Sequence, residues 1–266
     1  MLFPLHDNNP TQRVPIVTIA LVAANVLIYL AMWLQPPQTE LRTVVLHAFT
    51  PNRITQLFKG QPGLVRLDAE HAVELPPEPT SVLSTLFTCM FLHGSWAHVL
   101  GNMWFLWLFG NNVEDRLGRV RFLVFYLAGG LLATGVQWFT GPLDTTPVIG
   151  ASGAVAAVLG AYAVTYPHSR VHTLFFLGII TIIELPALWV LGAWLVFQFL
   201  EGIKAFQVGV SGGVAWWAHI GGFIAGMGMM KLFEIGLPPV DPTLPHRDWR
   251  PSRFGPRSVR TQKWYR

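Results

Sequence analysis

Charged residues and cysteine are scarce in this chain of 266 residues. Charged side chains make up only 12% of it, against roughly a quarter in an ordinary soluble domain, while 52% of the residues are hydrophobic. That balance excludes a conventional water-soluble protein. The single cysteine, Cys89, cannot form an internal disulfide, and no Cys/His spacing typical of a metal site is present. We therefore expect a polytopic membrane protein with no metal or other cofactor, held together by helix packing.

Six apolar segments are candidates for crossing a bilayer, which takes about 20 helical residues. They lie at 14–34, 96–113, 122–140, 150–166, within 172–200, and at 214–230. Glu184 and Pro186 interrupt the fifth, so we place its crossing after Pro186 and residues 172–183 partly at the interface. The segments are too long and too uniformly apolar for barrel strands. The predicted fold class is an all-α membrane protein, with a six-helix bundle over residues 14–236.

Basic residues next to the segment ends predict the orientation of this bundle. Two loops on one side and the tail are basic, at Arg116, Arg119, Arg121, Arg170 and seven positions within 237–266. We therefore expect both termini in the cytoplasm and the long loop 35–90, which mixes both signs, outside. Residues 1–13 lack the features of a removable signal peptide, so the first segment is expected to stay as an anchor. Six prolines among the tail's 30 residues predict disorder.

A serine and a histidine are predicted to meet near the outer end of this bundle. Ser152 opens the fourth segment, which is too short to reach the outer surface if it ends at Pro167 on the inner side. His219 lies about five residues into the sixth segment, at similar depth. Serine needs a base within about 3 Å to act as a nucleophile, and neutral imidazole supplies one. The pattern therefore indicates a dyad, with backbone N–H groups at the helix start available to an oxyanion.

Two further polar residues are predicted to lie at the same depth. His98 and Asn102 are spaced i, i+4, so they share one face of the second helix near its outer end. Buried polar groups are expensive in a membrane unless they pair or function. His98 and Asn102 are therefore candidate donors to an oxyanion, although such a pair is more often an interhelical hydrogen bond.

These motifs together resemble the rhomboid family of intramembrane serine proteases. The similar stretches are His98-Val-Leu-Gly-Asn102, Gly150-Ala-Ser152-Gly and Ala218-His219-Ile-Gly-Gly222 followed by Gly226, in that order along the chain. The resemblance implies Ser152 as nucleophile, His219 as general base, and an oxyanion hole of His98, Asn102 and the Ser152 N–H. It also implies helix-packing roles for Gly222 and Gly226, and for Gly110, Glu114 and Gly118, which match the family's Gly-x-x-x-Glu-x-x-x-Gly pattern.

The sequence departs from the family's pattern at two places. Many members carry a Trp-Arg pair in the first loop, but this chain has no tryptophan between Gln35 and Ser95. Some members carry a tyrosine one turn after the serine, beneath the histidine, where this chain has Ala156. The sequence therefore names no residue that orients His219.

The activity predicted is hydrolysis of peptide bonds within or beside transmembrane helices of other proteins. The expected partners are such substrates and the lipid bilayer, with no nucleic acid or nucleotide. Water is expected to enter from the outer side past the fifth helix and the loop 201–213. The compact chain and the lack of a transit-like N-terminus favour a bacterial inner membrane.

Other functions remain open from the sequence. The main alternative is a catalytically inactive rhomboid-like protein that binds membrane clients, although such relatives usually lack the serine or the histidine. A transporter would need polar residues across the full membrane, whereas here they cluster at one end. His168 and His172 share the i, i+4 spacing of some metal ligands, but no third ligand is near, so we expect interfacial residues.

Overall fold

A computed structural model of the protein describes residues 2–9, 11–176, 180–208 and 215–238. The predicted disordered tail therefore lies almost entirely outside the described residues, as do residues 209–213 of the loop past which water is expected to enter. The first part of that predicted loop, residues 201–208, is helical and belongs to the helix Ala187–Val208. The described chain is mostly helical. Its elements in order are β1 (Leu2–Asp7), α1 (Ile16–Trp33), α2 (Pro37–His47), α3 (Pro51–Lys59), β2 (Gly63–Arg66), β3 (Ala72–Leu75), α4 (Pro79–Thr88), a 3-10 turn (Cys89–Phe91), α5 (Trp96–Leu117), α6 (Arg119–Thr140), α7 (Ser152–Thr165), β4 (Arg170–Phe176), β5 (Ile180–Pro186), α8 (Ala187–Val208) and α9 (Trp216–Phe233).

Six of these helices form an apolar bundle, and each overlaps one of the six predicted segments. Among the described residues, three helices are long and apolar enough to cross a membrane: α1, α6 and the Ala187–Lys204 part of α8. Helix α7 is short, at 14 residues, and occupies the centre of the bundle. Every residue from Ala154 to Ala163 is buried, so α7 is surrounded by other helices rather than by lipid or water.

Glycines allow α7 and α9 to pack backbone against backbone. A Cβ atom at Gly222 would overlap the carbonyl oxygen of Gly153, and one at Gly226 would overlap that of Ala157. In the opposite direction, a Cβ at Gly160 would overlap the carbonyl oxygen of Phe223. Small residues are the usual means of such close approach in membrane bundles. This packing fixes the distance between the start of α7 and the start of α9, where Ser152 and His219 lie.

The segment before α8 is a β-hairpin, which sequence reasoning missed. The sequence predicts that residues 172–183 lie partly at the interface, and the described residues among them, 172–176 and 180–183, belong to antiparallel strands β4 and β5. Strand β1 adds to β4, giving a three-stranded sheet in the order β1-β4-β5. The hairpin is rich in β-branched and aromatic residues, which favour strands. A short apolar run does not by itself distinguish a strand from a helix, and the pairing partner β1 is remote in sequence.

The long first loop folds into a layer of its own at the Ser152 end of the bundle. Its helices α3 and α4 share a small core that includes Phe49, Ile54 and Val82, and strands β2 and β3 form a hairpin. Backbone hydrogen bonds tie it to the chain that precedes Ser152, where Phe49 and Val148 exchange bonds of 3.0 and 2.7 Å. The N–H of Gly150 donates to the carbonyl of Cys89 at 2.9 Å. The loop therefore positions the chain that leads into α7.

Candidate active site

Ser152 is the first residue of α7, at the end of a sharp turn. Gly150, two residues earlier, has φ +123°, a conformation that L side chains rarely adopt. The chain enters α7 directly from this turn, with Ala151 buried as the helix N-cap. The side chain of Ser152 is half-buried, and the first N–H groups of a helix such as α7 have no partner within the helix.

His219 lies in the first turn of α9 and contacts Ser152 directly. Its Nε2 atom is 2.7 Å from the Ser152 hydroxyl oxygen, a normal length for a hydrogen bond to a hydroxyl. The two residues are 67 positions apart in sequence, and the glycine-mediated packing of α7 on α9 brings them together. With Nε2 unprotonated, the hydroxyl donates to the ring, which is the geometry a serine nucleophile and its base require.

Two glutamines that the sequence reasoning did not single out hold His219 in place. Gln198 on α8 brings its Oε1 atom within 2.8 Å of the His219 Nδ1 atom. Gln137 on α6 accepts a hydrogen bond of 3.1 Å from the N–H of Ala218, an otherwise orphaned donor in the first turn of α9. The sequence does contain a sign of this role, since Gln198 is the sole carboxamide side chain in the apolar run 187–200. A buried polar residue in a membrane helix calls for a partner.

The side chains of His98 and Asn102 line the turn in front of Ser152. A Cβ atom at Gly150 would lie 2.6 Å from the His98 Nε2 atom and 3.6 Å from the Asn102 Nδ2 atom. Ser95 caps α5 by accepting a 3.2 Å hydrogen bond from the His98 N–H, which fixes where this helix starts. The structure thus brings all four predicted polar residues, from three different helices, to one end of the bundle.

A third histidine, His93, contacts Asn102 and His98, and the sequence analysis did not identify it. Its side chain is fully buried, and its Nε2 atom is 3.0 Å from the Asn102 Nδ2 atom. Asn102 can donate to it through one of its two amide hydrogens and keep the other available. The His93 and His98 rings meet edge to face, with centroids 5.0 Å apart. The signal in the sequence was a second histidine five residues before His98.

Residues 80–234 match the Rhomboid domain family, which covers more than half of the chain. The match includes every residue of the site described above. The chain belongs to the rhomboid family. This confirms the resemblance drawn from the three motifs. Members of the family are generally intramembrane serine proteases that act on membrane proteins within the bilayer.

Three similar proteins show how far the likeness extends. Presenilin-associated rhomboid-like protein A, mitochondrial, of Danio rerio is 30% identical over 177 residues, covering 62% of this chain and 41% of that protein. Presenilin-associated rhomboid-like protein, mitochondrial, of Homo sapiens is 27% identical over 210 residues, covering 78% and 45%. YdcA of Bacillus subtilis (strain 168) is 38% identical over 77 residues, covering 29% and 38%. The rhomboid chain spans less than half the length of these curated relatives.

A small pocket lies beside Ser152 in this rhomboid protein. Its volume is about 20 Å³, and Ser152, Gly150 and Ala218 are among the residues that line it. That volume is room for about one water molecule. None of the described residues lining the pocket carries a charge, so a charge developing there would be met by dipoles and hydrogen-bond donors.

Glu114 lies at the opposite end of α5 and has a structural position. Its carboxylate accepts hydrogen bonds from the N–H groups of Val17 at 2.9 Å and Thr18 at 2.7 Å, and from the Thr18 hydroxyl at 2.8 Å. Those N–H groups belong to the first turn of α1, where a negative charge also complements the helix dipole. A Cβ atom at Gly110 would lie 3.5 Å from Thr18, which is ordinary contact, and Gly118 ends α5 with φ +78°.

His172, one of the two histidines near the hairpin, contacts neighbouring residues of the sheet region. Among the described residues, no cluster of three or more His, Cys, Asp or Glu side chains could hold a metal ion. The Nε2 atom of His172 is 3.0 Å from the Asn8 Oδ1 atom and 3.5 Å from a Glu184 oxygen. These contacts join β4 to β5 and to the residue that follows β1, so His172 is explained by contacts around the sheet.

Proposed function

We propose that this protein is an intramembrane serine endopeptidase that cleaves peptide bonds in or next to transmembrane helices of other membrane proteins. The observation that carries the proposal is the 2.7 Å contact between the Ser152 hydroxyl and the His219 Nε2 atom. Rhomboid family membership supports it, because the family is generally proteolytic.

The geometry suits a two-step acyl transfer. The Ser152 oxygen attacks the scissile carbonyl while His219 takes the hydroxyl proton, giving a tetrahedral oxyanion. The amide nitrogen leaves after His219 returns that proton to it, and the serine ester is left. Water then attacks the ester with His219 again as base, which releases the new carboxyl terminus and restores Ser152.

The oxyanion is the species that the surrounding donors stabilise. His98, Asn102 and the Ser152 N–H are the proposed donors, since both side chains border the turn at Gly150. His93 holds the Asn102 amide from behind. Removing one donor of this kind typically slows an enzyme by about 10²- to 10³-fold.

We further propose that the Ser152 end of the bundle opens toward the outer side of the membrane. Support comes from three arginines at the other end of the bundle, where α5 ends and α6 begins: Arg116, Arg119 and Arg121. Positively charged residues next to membrane helices favour the cytoplasmic side. The bacterial inner membrane predicted from the sequence is not supported by the comparisons, since two of the three relatives described are named mitochondrial.

Cleavage of a single-span model substrate by the purified protein in liposomes tests the proposed activity. We expect Ser152→Ala and His219→Ala to lower the cleavage rate about a thousandfold or more, because each removes one half of the dyad. A fluorophosphonate probe should label the wild type and leave Ser152→Ala unlabelled.

Ser84→Ala and His47→Ala are the matched controls, since both side chains are exposed on the layer formed by the first loop. They should cleave as the wild type does. Equal cleavage by the Ser152→Ala variant would refute the proposal. A wild type that neither cleaves several substrates nor reacts with the probe would favour the non-catalytic client-binding function.

A further inference from the structure

We propose that Gln198 is the positioning residue for His219, so that Gln198, His219 and Ser152 form one chain of hydrogen bonds across α8, α9 and α7. The inference rests on the proposed protease function. It names a residue that orients His219 in a chain that has Ala156 where some family members have a tyrosine beneath the histidine. The two bonds of the chain measure 2.8 Å at Nδ1 and 2.7 Å at Nε2.

The first step of the argument is the choice of tautomer. The carbonyl oxygen of a glutamine only accepts hydrogen bonds, so its partner Nδ1 must carry the proton of a neutral imidazole. Nε2 is then left with its lone pair directed at the Ser152 hydroxyl. Gln198 thereby selects the single tautomer in which His219 can take the serine proton.

The second step is that other neighbours of the ring do not supply this contact. Trp194 and Trp216 have ring centroids 6.1 Å from that of His219, and they form apolar walls. An indole N–H only donates, so neither tryptophan can accept a hydrogen bond from Nδ1. Ala156 has no polar atom to offer. Gln198 is therefore the described residue whose chemistry fits.

The third step is that the fold holds Gln198 firmly. Its side chain is 6% exposed, and an amide so buried is expensive unless it is hydrogen-bonded. Gly202, one turn further along α8, lets this helix approach α9, since a Cβ there would lie 3.2 Å from the Trp216 Cβ atom. The two helices therefore approach each other within about one turn of the glutamine–histidine bond.

The final step concerns charge. A serine protease that uses a carboxylate in this position must bury a negative charge, which is costly in a membrane unless it is paired. A carboxamide orients the ring without that charge. When His219 receives the serine proton, its Nδ1–H continues to donate to the same Gln198 oxygen, so the contact persists through the proton transfer.

Substitution of Gln198 by residues of similar length tests the assignment. Gln198→Met keeps the volume and removes the amide oxygen, and we expect it to lower kcat about 10- to 100-fold with KM changed less than about twofold. That loss is smaller than the contribution of about 10²- to 10⁴-fold from a positioned base itself. Val196→Met, at an exposed position on the same helix, should leave kcat unchanged.

Gln198→Glu distinguishes positioning from packing. It restores an acceptor, so activity should return to within about tenfold of the wild type. A negative charge beside the ring favours the imidazolium, which cannot act as a base, so the acidic limb of the kcat profile should move to higher pH. Wild-type kcat and an unchanged pH profile in both Gln198 variants would overturn the proposal.

A readout independent of cleavage keeps this inference separate from the proposed function. Nitrogen-15 NMR of histidine-labelled protein, with the His219→Ala variant used for assignment, reports which ring nitrogen carries the proton. We expect the Nδ1–H tautomer in the wild type and a mixture in Gln198→Met. An inactive wild type that still shows this difference would reject the protease proposal alone. The same tautomer in both proteins would reject the role of Gln198.

Discussion

Asp7 shows how a single residue can make the stability of this protein depend on pH. It ends strand β1, outside the bundle helices, yet its side chain is only 5% exposed. The Asn112 amide donates to its carboxylate at 2.8 Å and the Tyr162 hydroxyl at 2.6 Å. Burial nevertheless outweighs these bonds and raises the pKa of the Asp7 carboxyl from 3.8 to about 6. The folded chain therefore binds this proton more tightly than the unfolded chain does.

The sign of the effect follows from linkage between protonation and folding. The stabilising contribution of protonated Asp7 is complete below pH 4 and is lost as the pH rises from about 4 to about 6. We expect Asp7→Asn, which keeps an oxygen acceptor without the charge, to remove this loss. At pH 7.5 the variant should be more stable than the wild type by on the order of 3 kcal/mol.

Thermal unfolding in detergent between pH 4 and pH 7.5 measures this difference. Comparing the variant with the wild type at each pH cancels the other titrating groups, and the gap should widen with pH until about pH 6. A constant gap across the range would mean that Asp7 is not the group responsible. Asp68→Asn serves as control, because Asp68 is exposed and hydrogen bonds from its neighbours lower the pKa of its carboxyl.

At the scale of elements, the contact between α7 and α9 decides whether the site forms. Gly222 lies less than one turn after His219, and a Cβ atom there would overlap the carbonyl oxygen next to Ser152. We expect Gly222→Ala to push the two helices apart, to lower cleavage at least tenfold and to destabilise the fold by about 1–3 kcal/mol. Cleavage assays and thermal unfolding of the same samples measure both effects.

Gly228 provides the matched control on the same helix. It has open space where a Cβ would lie, so Gly228→Ala should preserve activity and stabilise α9 by up to about 1 kcal/mol through helix propensity. Equal behaviour of the two alanine variants would show that close backbone approach at Gly222 is not required.

The elements also differ in how well the sequence predicted them. Long apolar runs indicated the six bundle helices, because crossing a bilayer imposes length and composition. The hairpin of β4 and β5 was not predicted, since β4 also pairs with β1, about 170 residues earlier in the chain. The helices of the first loop were likewise not predicted, because they are stabilised by a small shared core rather than by a long apolar run.

For the whole molecule, the orientation in the membrane is the property to test. We expect the first loop outside and the basic tail inside, because positively charged loops stay on the cytoplasmic side. The single native cysteine is buried and can be replaced by alanine. In that background, an impermeant thiol reagent should label Gln61→Cys in intact cells or vesicles, and Lys263→Cys only after permeabilisation. The reverse pattern would invert the proposed topology.

The sequence by itself determined the class of protein and the candidate residues of its functional site. Scarce charge and six apolar runs indicate a helical membrane protein, since the bilayer restricts what can cross it. Ser152, His219, His98 and Asn102 stood out because polar groups are costly at that depth. These are local properties of the chain, and family membership confirmed the resemblance they carried.

Only the tertiary structure decided what surrounds those residues. Gln198, Gln137 and His93 became visible as neighbours once helices distant in sequence were packed together, because a hydrogen bond depends on positions within a few tenths of an ångström. The burial of Asp7 likewise arises from its contacts with Asn112 on α5 and Tyr162 on α7, which are remote in sequence. Sequence patterns name the polar groups, whereas packing between α7, α8 and α9 determines which partners each group has.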